Sequence, residues 1–570
     1  MGRQQVRLKR EKLYRTGDRW PIHLRGFGGV NAAGPDRDSD PWVAQYAVNW
    51  TNRQGLYGNK IGGLSTRPGI APVDHYNLPG FSGEVPTNNP VRALHKFYPS
   101  NNITTAGEMC RVVSNQFQVN DGSGWTNKSG AFTFNNTTAY PQILELGWPS
   151  KHLLIANPGT PASQGGLYVY DGTNYWKQSI DRYGGASEVN SLRWLCQGSD
   201  GRAYVCGDYI DDDEPLVVHY SAPGTVGTHT DPTNKNQWLY PNGGLFLVYA
   251  QGPRGKSGPT RITGMAWLNG YVLIFTEVGR YIVSNPGTGS ERVDYLPGYG
   301  CLNGNLVCED EYSGRVMWWD AYGGYTWTGS GLPSRVSQPI WPHLGNIAMK
   351  DGSGDYIAQK MFSFTYLGQW WTQLRTSGLT GISTSSTPGE LGHDLNTNFI
   401  FDFITGQWYI ANIPMTCATV AQSGLDLGQM YFASPVDKGT NQYYTYRYGF
   451  DEAASQAVYA DHGEDIYAYW KTPKLVGEDL MRKKQYEKIR VNAEVTAGAT
   501  PIGASIKCYY DGGVAVPVTW PVDPNADVVH DLGMSQNYGN YLEIEWEVTS
   551  QRRTTIHAAE YTYVPVMTDG

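Results

Sequence analysis

The sequence predicts an all-β fold: an irregular β-propeller of about six to eight small sheets, with a C-terminal β-sandwich-like domain. Three observations predict it. First, a hairpin pattern returns in which an apolar-aromatic strand meets an Asp or Gly turn and then Trp. It reads VYDGTNYW at Val169–Trp176, WWDAYGGYTW at Trp318–Trp327, YLGQWW at Tyr366–Trp371 and FDFITGQW at Phe401–Trp408, with a weaker copy, DGSGW, at Asp121–Trp125. Second, 69 Gly, 40 Tyr and 19 Trp stand beside only 17% charged residues, where about 25% is usual. That balance suits short strands, tight turns and large protein contacts, and excludes a disordered chain. Third, no helical period of more than three turns is present. The best helical candidate, near Glu478–Glu487, is short and leads directly into a strand.

The pattern assigns the roles of its residues. Asp171, Asp320, Asp402 and Gly406 are turn residues, because Asp and Gly reach conformations that other residues resist. Trp176, Trp327, Trp371 and Trp408 belong to the half-buried strands that flank those turns, where core packing accounts for them. All eight are therefore structural residues, with no catalytic role.

Residues 1–90 are the least regular part. A basic arm carries Arg3, Arg7, Lys9, Arg10, Lys12, Arg15, Arg19 and Arg25 against Glu11 and Asp18. Gly- and Pro-rich runs follow at Arg25–Trp42 and Gly62–Ile70, which argue for extended chain and turns. Residues 91–450 hold the strand-turn rhythm. Ile262–Val283, with turns at Asn269-Gly270 and near Gly279, is close to a three-strand meander in one line; Asn305–Trp327, Asn398–Ile410 and Gln429–Tyr448 give further sheets. From 451 to 570 charges become denser and the strands lengthen. Glu487–Val495, Ala504–Tyr510 and Tyr541–Val548 alternate polar and apolar residues, the period of a sheet with one wet face, and His557–Val566 supplies a last strand.

The net charge of −8 disfavours bulk nucleic-acid binding. The basic start is not followed by an apolar run, so no secretory signal is visible, and no stretch approaches the ~20 apolar residues of a membrane span. The seven Cys are scattered and odd in number. They read as small buried residues, Cys196/Cys206 and Cys301/Cys308 on adjacent strands of hairpins, in a chain made in a reducing cytoplasm.

Three segments near the start, GFGGVN (Gly26–Asn31), AQYAVNW (Ala44–Trp50) and GGLSTRPG (Gly62–Gly69), together resemble the opening of many phage tail proteins. The stretch LVGEDLMRKKQYEKIRV (Leu475–Val491) and the strand-turn YYDGG (Tyr509–Gly513) resemble the end of the same proteins, the tail nozzle, tail hub or packaged-DNA stabilization proteins of short-tailed phages. The middle of the chain is similar by rhythm alone, and its intermediate length leaves both the nozzle and the hub type open. The resemblance implies a virion protein made in the host cytoplasm. Its members form a ring, usually of six copies, below the head–tail connector. The ring extends the DNA channel, retains the genome, lets it pass during ejection, and often carries fibres or a needle. It implies self-association and connector contact, genomic DNA passing without sequence-specific binding, and no enzyme activity or cofactor. An acidic wall would let DNA slide, and the residues Arg3, Arg7, Lys9, Arg10, Lys12 and Arg15 would dock on an acidic face of the connector. The bland alternative for that arm is a solvated basic end.

Chemistry-bearing clusters weigh less. Asp211–Glu214 is the densest acidic run but lacks the Gly and Glu spacing of a calcium loop, and reads as a solvated loop. Asp36–Asp40 and Asp351–Asp355 are fragments of such loops that turn chemistry explains. FDFITGQW is similar to the Asp-box turn of sialidase propellers, a structural turn there. Glu277 with Glu309-Asp310-Glu311 could supply a glycosidase pair. No metal-binding His spacing, nucleophile elbow or phosphate loop is present, and Gly287–Arg292 lacks the Lys of the last. Arg482, Lys483 and Lys484 read as a solvated turn, or as a contact with a neighbouring subunit. The alternative function is a receptor-binding or carbohydrate-active propeller at a tail tip, with an aromatic-lined groove and two close carboxylates. A third is a cellular interaction scaffold, against which the irregular blades speak.

Overall fold

Among the described residues, seven four-stranded antiparallel sheets form the larger part of the protein, seen in a computed structural model. The described residues are 20–25, 46–48, 50–51, 64–68, 70–72, 87–99, 107–120, 124–130, 134, 140–147, 151–158, 165–183, 187–189, 191–207, 215–248, 261–310, 313–344, 346–347, 361–374, 376–377, 397–413, 415–422, 427–435, 442–451, 456–457, 461, 465–476, 483–495, 503–513, 516–519, 527–531 and 538–566. The basic arm up to Arg19 and the acidic runs at 36–40, 211–214 and 351–355 lie outside them.

The seven sheets are the blades of a propeller. In chain order their first strands are Val91–Phe97, Gln142–Leu146, Leu192–Gln197, Ile262–Leu268, Cys308–Asp310, Phe362–Tyr366 and Cys417–Val420. Each blade then runs outward strand by strand. The first strand of every blade packs against the first strands of the blades before and after it, and the seventh packs against the first, so the ring closes. The closing blade takes its outermost strand, Ile70–Pro72, from the segment that precedes the first blade. That strand pairs antiparallel with Thr445–Tyr448 in the register Tyr446↔Pro72 to Tyr448↔Ile70. A last blade built from both ends of the segment ties the ring shut.

Side chains stitch the inner strands together. Leu195 N donates to Gln142 Oε1 (2.6 Å) between the second and third blades. Trp194 Nε1 donates to the Ile262 carbonyl (3.1 Å) between the third and fourth, and Trp267 N to Glu309 Oε1 (2.6 Å) between the fourth and fifth. Thr416 Oγ1 donates to the Val91 carbonyl (2.6 Å) across the closure. The apolar cores accordingly lie between neighbouring blades; one joins Leu154, Val169 and Trp176 of the second blade to Leu192, Leu195 and Val205 of the third. The apolar area that each twisted sheet cannot bury on itself is buried on the next.

The chain divides into two compact units, 68–462 and a second made of 1–67 with 463–570. The second is a two-sheet sandwich. One sheet has the order 46–48, 466–471, 542–550, 503–510, 516–519; the other has 50–51, 64–66, 554–565, 484–495, 527–531, with 20–25 also on 554–565. Alternation along Ile466–Lys471 buries Ile466, Ala468 and Trp470. Trp470 stacks on Trp546 (4.8 Å) and Tyr486 of one sheet packs on Tyr510 of the other (5.5 Å).

This division differs from three consecutive domains at 1–90, 91–450 and 451–570. Strands 20–25, 46–48, 50–51 and 64–66 are built into the sandwich, and 70–72 into the propeller. The reason is backbone pairing: short strands in a Gly-rich segment are unpaired edges until a distant sheet accepts them. Two smaller readings also change. Residues 484–487 begin a long strand where a short helix was the best candidate. Lys484 is buried on that strand, its Nζ donating to the Asn540 carbonyl (2.9 Å), and is no part of a solvated turn, whereas Lys483 is exposed.

Candidate functional site

The recurring turn residues do what their chemistry predicts. Asp171 Oδ1 accepts from Thr173 N (2.9 Å) and Asn174 N (2.6 Å). Asp320 Oδ1 accepts from Tyr322 N (2.6 Å) and Gly323 N (2.9 Å), and Asp402 Oδ1 from Ile404 N (2.9 Å) and Thr405 N (3.0 Å). Gly406 follows with φ +68°, the left-handed region that Gly enters without strain. Burial alone would raise the Asp171 carboxyl, but the N–H groups of Asn174 and Thr173 outweigh it and hold it below its ordinary value. At Asp320 burial wins and the carboxyl is raised.

The Trp residues are core. Trp176, Trp327, Trp371 and Trp408 are buried. Trp408 packs on Trp319 and Trp370 (both 6.0 Å), and Trp319 on Trp370 (5.4 Å), which fills the space between the fifth and sixth blades. Trp408 Nε1 donates to the Val336 carbonyl (2.7 Å). The copies of the pattern occupy different places in their blades. Asp171 and Asp402 turn the third strand into the fourth, Asp320 the second into the third, and Leu367-Gly368 the first into the second. The pattern marks a hairpin, so its spacing is irregular although the blades are regular.

Two of the candidate carboxylates have hydrogen-bond partners. Glu309 is committed to the Trp267 amide, and Asp310 accepts from Ser313 Oγ. Glu277 is exposed on the turn between the second and third strands of the fourth blade, and Glu311 lies outside the described residues. A different carboxylate is tied between blades: Glu145 meets His95 Nε2 (3.3 Å) and Lys151 Nζ (3.1 Å). Burial would raise its carboxyl, and the hydrogen bond and charge of His95, then Lys151, outweigh this and lower it. None of the seven Cys is in a disulfide. Cys196 stands opposite Tyr204, and Cys206 opposite Trp194. Burial pushes the Cys301 and Cys417 thiols up to about 12, so neither is a thiolate nucleophile at neutral pH. Among the described residues no group of three His, Cys, Asp or Glu side chains could hold a metal ion, and no helix is long and apolar enough to cross a membrane.

One concavity is built by the ring itself. Where the first strands begin, a cavity of about 180 Å³ is lined from five blades, by Arg92, Gln142, Asn305, Ser363 and Cys417 among others. No single stretch of sequence signals it.

No family model and no curated protein matches the chain. Among solved structures, the chain is similar to the extracellular domain of the one-component system BT4673 from B. thetaiotaomicron, at 10% identity and TM-score 0.38 over 90% of this chain; it spans 62% of that structure. It is similar to the WD40 domain of Neurospora crassa Pan2, at 9% identity and TM-score 0.34, over 68% of this chain and 96% of that one. It is also similar to an exo-β-1,3-galactanase from Phanerochaete chrysosporium, at 9% identity and TM-score 0.24, over 74% and 95%.

Proposed function

We propose that this chain is a structural virion protein of a phage tail. It forms a ring that extends the DNA channel below the head–tail connector, retains the genome and lets it pass during ejection. The observation that carries this reading is where the tail-protein-like segments meet. Ala44–Trp50 and Gly62–Gly69, near the start, supply strands that pair with Ile466–Lys471 and Thr554–Pro565, near the end. Leu475 bridges Leu542, and the segment up to Val491 pairs along Thr554–Pro565. Both ends of the resemblance thus contribute to one sandwich, with the whole propeller inserted between them.

Two features support an assembly role. The net charge of −8 suits a wall along which DNA slides. Exposed apolar side chains concentrate on turns between first and second or third and fourth strands: Tyr240, Tyr271, Leu332, Ile404 and Leu427. Antiparallel order places these turns at one end of each blade. Asn269 Nδ2 donating to the Thr328 carbonyl (3.1 Å) shows neighbouring blades meeting there. Apolar tips at one end suit contact with other protein.

The test is electron cryo-microscopy of purified particles carrying this chain. A symmetric ring under the connector with a DNA-wide lumen supports the proposal; a distal-tip position, absence from the particle or a strongly positive lumen overturns it. Particle assembly after deletion of residues 2–15 tests the connector-docking role of Arg3, Arg7, Lys9, Arg10, Lys12 and Arg15, which intact assembly would refute.

The propeller fold itself also accommodates a receptor-binding or carbohydrate-active protein at a tail tip. Hydrolysis needs two carboxylates about 5–9.5 Å apart around a glycosidic bond. The described residues that line the cavity include no Asp or Glu. A glycan-binding screen beside a hydrolysis assay separates binding from cleavage for this second reading.

A further inference from the structure

Three connections meet at one end of the third and fourth blades: residues 198–202, 221–243 and 285–291. Arg202 ties them together. Its Nη1 donates to the Ser221 and Asn242 carbonyls (both 2.6 Å). Residue 287 is Gly, where a Cβ would lie only 2.6 Å from Arg202 Cδ and Nε. The longest connection is also closed on itself, with Asn242 N (3.0 Å) and Gly243 N (2.9 Å) donating to the Leu239 carbonyl. Tyr240 stands in that turn with 82% of its surface exposed, and its Cε2 is 3.7 Å from where a Gly289 Cβ would sit. A pinned turn thus presents an open aromatic ring, so a ligand that stacks on it loses little to ordering the protein.

Polar groups adjoin the ring through the same arginine. The bonds to Ser221 and Asn242 occupy Nη1, Nε faces Asp200 Oδ2 at 3.5 Å, and Nη2 remains a donor. The Asp200 side chain is 30% exposed. Its Oδ1 accepts from Arg202 N (3.1 Å), and its Oδ2 from the Tyr204 hydroxyl (2.8 Å). A carboxylate offers about four lone-pair sites, so acceptor capacity remains. Glu291 is fixed in the same way: its Oε1 accepts from Gly289 N (2.9 Å), and the carboxylate bonds the Tyr220 hydroxyl. The Tyr204 and Tyr220 rings pack on each other (6.1 Å), which ties the two carboxylates to one support.

This mixture of groups selects the ligand. An anion meets the charges of Asp200 and Glu291, and a cation meets Arg202. An apolar segment would desolvate the Asp200–Arg202 pair, which is costly. A neutral sugar avoids all three. Its C–H face stacks on an aromatic ring, and its hydroxyls both donate and accept, so adjacent hydroxyls match a carboxylate beside a guanidinium. We propose that this end of the third and fourth blades binds a neutral glycan, one hexose on Tyr240 with adjacent hydroxyls on Asp200 and Arg202. The proposal rests on the second reading above, gives it a location, and does not depend on the tail assignment.

The experiment is saturation-transfer NMR titration of the full chain with the methyl glycosides of glucose, galactose, mannose and N-acetylglucosamine. Saturable binding of one of them supports the proposal when it weakens about tenfold or more in Tyr240→Ala and in Asp200→Asn, and persists in Tyr240→Phe. Tyr240→Ala should leave Tm unchanged because the ring is exposed, so lost binding is not lost folding. Equal binding by wild type, Tyr240→Ala and Asp200→Asn overturns this location and leaves the second reading standing. No saturable binding of any glycoside by the wild-type protein overturns the proposal and the sugar reading together. Tighter binding of glucuronate than of methyl glucoside overturns the proposal as well. If Tyr240→Ala instead lowers incorporation into particles with sugar binding unchanged, the Tyr240 tip docks protein and the proposal falls.

Discussion

Replacing Trp408 tests the idea that the propeller is held together between its blades. The side chain is wholly buried, touches Trp319 in the neighbouring blade, and donates to Val336 (2.7 Å). An indole of this kind buries about 150–250 Å², which at about 25 cal/mol per Å² is roughly 4–6 kcal/mol as an upper estimate. Measured Trp→Ala costs run about 3–5 kcal/mol. Trp408→Ala should therefore lose about 4 kcal/mol, a large part of the roughly 5–15 kcal/mol that holds a typical domain. Trp408→Phe keeps most ring contact but loses the donor, and should cost about 1–2 kcal/mol. A double-mutant cycle with Trp319→Leu should show coupling of about 0.5–1.5 kcal/mol. The assay is urea unfolding followed by far-UV circular dichroism, with unchanged m-values as the check on two-state behaviour. A cost below about 1 kcal/mol for Trp408→Ala, or zero coupling to Trp319, would show that this packing does not stabilise the ring.

Three further outcomes follow from the same geometry. Asp402→Ala removes a fully buried carboxylate that accepts from Ile404 N, Thr405 N and Gln369 Nε2, and should cost about 3 kcal/mol in urea unfolding, against about 1 kcal/mol for the partly exposed Asp171→Ala. Glu145 has a folded pKa below its ordinary value, so its contribution is fully present above an unfolded value of about 4.3 and is lost as pH falls through the lower folded value. Unfolding free energy measured from pH 6 downward should drop less steeply in Glu145→Gln than in wild type. Ile404→Asn, at a 77% exposed tip, should change monomer stability by less than about 0.5 kcal/mol. If these tips dock other protein, it should still lower incorporation into particles, read by immunoblot of purified virions.

Local chemistry was legible in the sequence wherever an interaction closes within a few residues. The Asp171 and Asp402 turns bond to amides two and three residues on, so their residue types alone announce them, and the flanking aromatics of Trp176 and Trp408 announce a buried strand. Glu309, one of the carboxylates that could supply a glycosidase pair, was not legible for the opposite reason. Its partner, the Trp267 amide, sits on another blade, and no sequence spacing reports that. The cavity was invisible for the same cause: Arg92, Gln142, Asn305, Ser363 and Cys417 lie far apart in sequence and line one space only when the ring closes.

By itself, then, the sequence determined that the chain is made of short antiparallel hairpins with aromatic cores, because turn conformation and strand alternation are set by neighbours along the backbone. Only the tertiary structure decided which edges meet. Strand Ile70–Pro72 closes the last blade, and strands from the first 67 residues complete a sandwich with the last hundred or so. Alternation tells a strand which face is apolar. Its partner is chosen by the unpaired backbone edges and the apolar faces that remain when everything else has folded.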